Sequence, residues 1–127
     1  TLGDQKTEQA IKVVTAVVAA PTVNLTKIAN GQNPTQAQAS CSSTGVNSGN
    51  VVTEWYKAAD TTGTKMGDSE TVATSDKVSV KVILTAAEGY TFTGGSYDTV
   101  QLFSQTATAT IAPDGTTLTL VVNNQTV

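Results

Sequence analysis

The sequence predicts an all-β fold, a two-sheet antiparallel sandwich of seven to nine short strands. The chain has 127 residues, the size of one ordinary domain. It contains 24 threonines and 16 valines, and these β-branched side chains favour pleated strands over helices. Segments that alternate apolar and polar residues recur about every 8–14 residues with turn residues between them, a spacing typical of sandwiches.

The first segment, residues 1–20, fits a linker, a helix or an added strand, and we place it outside the core of the sandwich domain, residues 21–127. Asp4 is suited to cap a helix. Such a helix would carry an apolar stripe of Ile11, Val14, Val17 and Val18. Four valines within six positions favour a strand instead. Pro21 ends either element, because it disfavours the α conformation at the residue before it.

Alternating segments mark the next predicted strands. Residues 22–28 (TVNLTKI) and 36–42 (QAQASCS) alternate apolar and polar side chains, with an Asn-Gly turn between them. Residues 51–58 form a further strand that carries the only tryptophan. A short edge strand is expected near 71–74, after the polar, glycine-containing loop 59–70.

The clearest strand pattern lies in the second half of the chain. Apolar residues occupy every second position, at Val78, Val80, Val82 and Leu84. Near the end, alternating residues 107–111 and 118–122 flank Pro113-Asp114-Gly115. Because these three residues favour a tight turn, this stretch predicts a β-hairpin.

Large side chains are scarce, since aromatic residues make up 5% of the chain. A sandwich needs such bulk to fill the gap between its sheets. We therefore expect the core anchors to be Trp55, Tyr90, Phe92 and Cys41. Tyr90 and Phe92 share one face of the stretch GYTF, where a strand leaves the sheet. Cys41 is the only cysteine, so it cannot form an intramolecular disulfide, and a free cysteine is usually a small core residue.

The order of these motifs resembles a known family. The chain resembles the immunoglobulin-like modules of bacterial cell-surface and secreted proteins in the order of three features. These are Trp55-Tyr56 on a strand, the stretch KVSVKVILTAAEGYTF at 77–92, and the hairpin ATATIAPDGTTLTLVV. IANGQNPT resembles the turn before their second strand. The resemblance covers roughly residues 21–122. Cys41 precedes Trp55 by fourteen residues, as does the first cysteine of an antibody-like domain, but the second cysteine is missing.

The resemblance implies an immunoglobulin-like sandwich that acts as a structural or adhesive module. It also implies an extracellular location, on a cell surface or a virion surface. The partners expected from it are neighbouring domains, copies of the same chain, surface glycans or host proteins. A carbohydrate-binding module and a self-assembling virion or fimbrial subunit remain alternatives, because this fold carries many functions.

Composition argues against most chemistry. The chain has no histidine, which removes Ser-His-Asp and Cys-His arrangements and most zinc sites, so we predict no enzyme, no cofactor and no metal. All seven basic residues are lysines and the net charge is −3, which argues against nucleic acid as a partner. No stretch reaches the 18 or so apolar residues of a membrane span, so membrane insertion is not expected.

Two surface features stay open as candidate sites. Tyr56 and Tyr97 are the candidate surface-binding residues, because Tyr56 points away from Trp55 on one strand and both lie outside the expected core set. Acidic residues gather loosely between positions 60 and 76, at Asp60, Asp68, Glu70 and Asp76. They lack the regular spacing of a calcium loop, so we interpret them as solvated loop charges.

Overall fold

A computed structural model describes residues 15–127. Within this range the chain forms β-strands and one turn of 3-10 helix, Pro34–Gln36, with no α-helix, so the all-β prediction is confirmed. No helix within this range is long and apolar enough to cross a lipid bilayer. The strands are β1 (Ala16–Val17), β2 (Val52–Tyr56), β3 (Lys77–Thr85), β4 (Tyr90–Thr91), β5 (Gln101–Leu102), β6 (Gln105–Thr106), β7 (Thr108–Ile111) and β8 (Thr117–Thr126).

The main sheet has four antiparallel strands in the order β2-β3-β8-β7. The two longest strands, β3 and β8, are its centre, and Val82 of β3 lies opposite Leu120 of β8. The alternation predicted for β3 holds, because one set of its side chains is fully buried: Val78, Val80, Val82 and Leu84. A strand with one face in the core requires this period of two.

The predicted hairpin at Pro113-Asp114-Gly115 joins β7 to β8. The Gly115 amide donates to the Ala112 carbonyl at 2.8 Å, and Gly115 has φ +73°, a conformation that glycine adopts without steric cost. Asp114 Oδ1 accepts hydrogen bonds from the amide and hydroxyl of Thr116 at 3.0 and 2.8 Å. The hydrogen bond from the Thr116 amide is the main cause that holds the pKa of Asp114 below its usual value, and the bond from the Thr116 hydroxyl adds to it.

Smaller pairings complete the fold. β1 pairs in parallel with β4, and β5 pairs with β6 as a separate two-stranded ribbon. The strands predicted at 22–28 and 36–42 are wrong as full strands, since they meet only through an isolated bridge between Asn24 and Ser40. The reason is local: residues 34–36 wind into a 3-10 turn capped by the Asn33 side chain, which uses up the start of the second segment.

The prediction of an edge strand near 71–74 is wrong, because no strand forms there. Only Val72 is paired: its amide donates to the Gln32 carbonyl at 3.1 Å, and its carbonyl accepts from the Gly31 amide at 2.8 Å. Its neighbour Ala73 donates its amide to the Asp76 carboxylate at 2.9 Å instead. The aspartate thus turns the chain before a ladder can extend.

Residues 15–20 belong partly to the core, which corrects the boundary expected between residues 20 and 21. The Val18 side chain is 1% exposed and packs in the main core cluster. Parallel pairing of β1 with β4 holds it there, because the Val18 amide donates to the Thr91 carbonyl at 2.9 Å. The helix considered for this segment does not extend over residues 15–20, where the chain forms β1; the rest of that prediction falls on residues 1–14, outside the described range.

A β-bulge near the end of the main sheet surrounds a buried serine. Val80 pairs with Val122 but Val78 pairs with Gln125, so the register shifts by one residue around Ser79. Ser79 is fully buried. Its hydroxyl donates to the Ala58 carbonyl at 2.9 Å and accepts from the Asn124 amide at 3.1 Å.

We expect Ser79→Ala to lower the free energy of unfolding by about 1–3 kcal/mol, because it leaves the partly buried Ala58 carbonyl and the Asn124 amide without the hydroxyl that each now bonds. Urea unfolding followed by circular dichroism measures this change. Ser42→Ala is the matched control, since Ser42 is exposed and surface changes usually stay within about 0.5 kcal/mol. Equal effects of the two substitutions would contradict the role given to the Ser79 hydroxyl.

Candidate functional site

Trp55 and Phe92 lie deep in the interior, with exposures of 1% and 0%. The Trp55 indole Nε1 donates to the Ala37 carbonyl at 2.7 Å, and its ring stacks on Phe103 with centroids 6.1 Å apart. Cys41 is 2% exposed in the same core cluster. Trp55, Phe92 and Cys41 fill the buried core, and none of the three lines the groove described below.

Tyr90 is placed differently from the other expected anchors, because it is half-buried at the rim of the core. Its ring lies against Gly45, where a Cβ would come within 2.7 Å of Tyr90 Cδ2. Gly45 also has φ +89°, a conformation that other residues rarely adopt. The glycine is therefore what lets the tyrosine ring lie flat on this turn.

The expectation that Tyr97 is a surface residue is wrong. Tyr97 is 2% exposed, and its hydroxyl donates to the Val18 carbonyl at 2.7 Å. Its ring meets Phe92 edge-on, with centroids 5.6 Å apart, an arrangement that aromatic pairs favour. Tyr97 therefore ties the loop after β4 to the segment that follows β1.

The burial of Tyr97 predicts a pH dependence. Desolvation raises the pKa of its hydroxyl, so the stability that the neutral form contributes is complete below a pH of about 10 and is lost as the pH rises through the raised pKa. We expect the urea midpoint to fall above a pH of about 10, and to fall less steeply in Tyr97→Phe. Identical alkaline profiles for the two proteins would contradict this assignment.

Tyr56 points outward as expected, but neighbouring side chains cover it, so it offers little binding surface. It is 5% exposed. Its hydroxyl donates to Glu54 Oε1 at 3.0 Å, and Lys81 Nζ lies 5.6 Å from its ring centroid. Desolvation first, and then the hydrogen bond to Glu54, raise the pKa of Tyr56. Surface binding by Tyr56 or Tyr97 would require these contacts to break.

The loop carboxylates serve local turns. Asp60 Oδ1 accepts from the Thr62 amide and hydroxyl at 3.1 and 2.8 Å, and the hydroxyl bond comes first among the causes that lower the pKa of Asp60. Glu70 pairs with Lys57 at 3.5 Å. Within residues 15–127, no three carboxylate or thiol side chains gather closely enough to hold a metal ion.

One open groove of about 570 Å³ lies between the extended segment 20–26 and residues 99–104 of the β5–β6 ribbon. No charged residue lines it, and Thr, Asn, Gln and Ser supply its polar groups. Because Asn24 directs its amide and carbonyl to Ser40, the peptide groups of Val23 and Leu25 point to the other side of the segment. The groove thus offers neutral hydrogen-bonding groups and an aromatic ring, that of Phe103.

No sequence motif marks the position of Phe103, the other phenylalanine of the chain. Phe103 and Ser104 are the two turn residues between β5 and β6, with φ +37° and +68°. Such a turn normally carries Asn-Gly, and Phe-Ser lacks that signal. Stacking of Phe103 on Trp55 holds the strained turn in place.

No family model, no curated protein and no solved structure matches this chain. A function is therefore inferred from the residues of the core and of the groove. The core is closed, since Trp55, Phe92 and Tyr97 are each at most 2% exposed. The groove carries no charged side chain, and its lining combines one aromatic ring with hydroxyl and amide groups.

Proposed function

We propose that this chain is a non-enzymatic immunoglobulin-like module that serves as a structural or adhesive unit of an extracellular or cell-surface protein. The closed interior is the observation that supports this most. Trp55, Phe92 and Cys41 pack in one core cluster and are at most 2% exposed. A domain filled in this way resists unfolding, because opening a close-packed interior gives up its packing contacts.

The contacts at the end of β8 support a mechanical role. β8 lies between β3 and β7, so hydrogen bonds hold it on both sides. Beyond it, the Val127 amide donates to the Asp76 carbonyl at 2.9 Å, and the Val127 carbonyl accepts from the Ser75 amide at 3.1 Å. Lys27 Nζ also donates to the Thr126 carbonyl at 2.7 Å. A pull on this end therefore loads the sheet and two loops together.

Single-molecule stretching tests the proposal. Concatenated copies of the chain, pulled by atomic force microscopy, should each unfold in one step. The described range is roughly 370–410 Å long when fully extended, at about 3.3–3.6 Å per residue, and each step should release this length less the end-to-end distance of the folded domain. Trp55→Ala should lower the unfolding force without changing this length. Gradual extension with no force peak would contradict a load-bearing module.

The groove favours a second candidate, a carbohydrate-binding module for neutral glycans. Sugar rings pack on aromatic faces and bond to hydroxyl and amide groups, and the groove offers Phe103 beside such groups without any charge. Binding on a glycan array that Phe103→Ala abolishes and Tyr90→Phe leaves intact would favour this candidate. No binding across the array would exclude those glycans and leave the structural module.

A further inference from the structure

The strand β7 ends the main sheet, and half of its peptide groups point away from the sheet. The Ala112 amide donates to the Thr117 carbonyl at 3.0 Å, so the peptide groups of Ala112 point towards β8, and those of every second residue before it do the same. Residues 108 and 110 are therefore also hydrogen-bonded to β8. Because bonded positions alternate along an antiparallel strand, the amides and carbonyls of Ala109 and Ile111 face outward. Within residues 15–127 neither has a backbone hydrogen-bond partner on that side.

The edge formed by β7 lacks the features that normally keep strand edges apart. Natural edges carry charges, prolines or bulges that block pairing with another chain. Residues 99–112 contain no charged residue and no proline, and the β7–β8 register is continuous.

The opposite edge of the sheet is covered. The outward carbonyl of Trp55 in β2 accepts from the Met66 amide at 2.7 Å, and Thr53 Oγ1 accepts from the Ala39 amide at 2.9 Å. Glu54 adds a charge to that strand. The two edges of one sheet therefore differ: segments at Ala39 and Met66 lie against the outer side of β2, whereas the outward groups of Ala109 and Ile111 on β7 make no backbone hydrogen bond within residues 15–127.

We propose that two copies of this chain associate through β7, antiparallel, about a two-fold axis that places Thr110 opposite Thr110. The amide of Ala109 then donates to the carbonyl of Ile111 in the second copy, and the amide of Ile111 donates to the carbonyl of Ala109. The axis repeats both bonds. Four main-chain bonds join the two sheets into one, and no charge meets a like charge, so a second copy is the occupant that fits. This pairing does not depend on the proposed function.

Sedimentation velocity of the full chain over a concentration series tests the pairing. The wild-type chain should shift from monomer towards dimer as concentration rises. Thr110→Lys should raise the dissociation constant at least roughly tenfold, because two lysines then face each other across the axis. Thr110 is exposed, so this change leaves the core intact. Val52→Lys is the matched control: it adds the same charge on β2, three strands away from β7, and should leave the dimer unchanged.

A second variant separates the backbone from charge. Ala109→Pro removes an outward amide that β8 does not use, as prolines on edge strands do, and should also keep the chain monomeric. Native circular dichroism and a urea midpoint close to that of the wild-type chain, both measured at a concentration where the wild-type chain is monomeric, confirm that each variant is folded. A wild-type chain that stays monomeric at every concentration overturns the proposal. A dimer that Thr110→Lys leaves intact, or that Val52→Lys weakens equally, overturns it too.

Discussion

Trp55→Ala should lower the free energy of unfolding by about 3–5 kcal/mol, which is the usual cost of deleting a large aromatic from a core. The indole is 1% exposed and stacks on Phe103. Its loss also leaves the Ala37 carbonyl without the donor that it now has at 2.7 Å. Because domains of this size are stable by about 5–15 kcal/mol, this loss removes a large part of the free energy of unfolding.

Urea unfolding measures this effect, with circular dichroism as the readout so that both proteins report on the same signal. Trp55→Phe is the control that keeps much of the bulk but removes the indole N–H. It should cost about 1–3 kcal/mol, chiefly through the unpaired Ala37 carbonyl. A Trp55→Ala protein that unfolds at the wild-type midpoint would show that the indole does not fill the core.

Phe92→Ala should have a similar effect, about 3–5 kcal/mol, for a different set of contacts. Phe92 is fully buried and packs edge-on against Tyr97. The cavity would open beside the hydroxyl bond from Tyr97 to Val18, so the segment around β1 should loosen with it.

The control for Phe92→Ala is Phe103→Ala, because Phe103 is only partly buried. It should cost about 1–1.5 kcal/mol, in proportion to the smaller apolar area removed from the interior. Hydrogen exchange of the Val18 amide gives a second readout, and it should accelerate in Phe92→Ala more than in Phe103→Ala. Equal losses of stability and equal exchange rates would contradict the central place given to Phe92.

Local sequence patterns predicted the parts of the fold that depend on neighbouring residues. The buried valines of β3 follow from alternation, and the turn at Pro113-Asp114-Gly115 follows from residue preferences in a tight hairpin. The outward direction of Tyr56 follows from its position next to Trp55 on β2. Each of these features is decided within a few residues, which is why a single sequence reveals it.

Features that depend on distant contacts could not be predicted. Tyr97 is buried because its hydroxyl reaches the Val18 carbonyl, a partner 79 residues away. The parallel pairing of β1 with β4 likewise joins Ala16 to Tyr90. The alternation in residues 22–28 looked like a strand, yet a strand forms only where another chain segment pairs with it, and there the chain supplies one bridge.

The candidate groove and the β7 edge were equally hidden from the sequence. The groove exists because segment 20–26 and the β5–β6 ribbon run side by side without bonding to each other. No motif marks Phe103 and Ser104 as turn residues. The edge is defined by the strand order of the sheet, and strand order depends on pairings between β3, β7 and β8 that no short pattern encodes.

Fluorescence of the single tryptophan tests the closed interior most directly, because Trp55 is the only indole in the chain. Its emission in the native protein should be blue-shifted, and acrylamide should quench it poorly. Urea should shift the emission to the red and expose the ring to quencher. Native emission and quenching equal to those of the unfolded chain would contradict the account, since Trp55 would then lie in water and a binding cleft would have to replace the filled core.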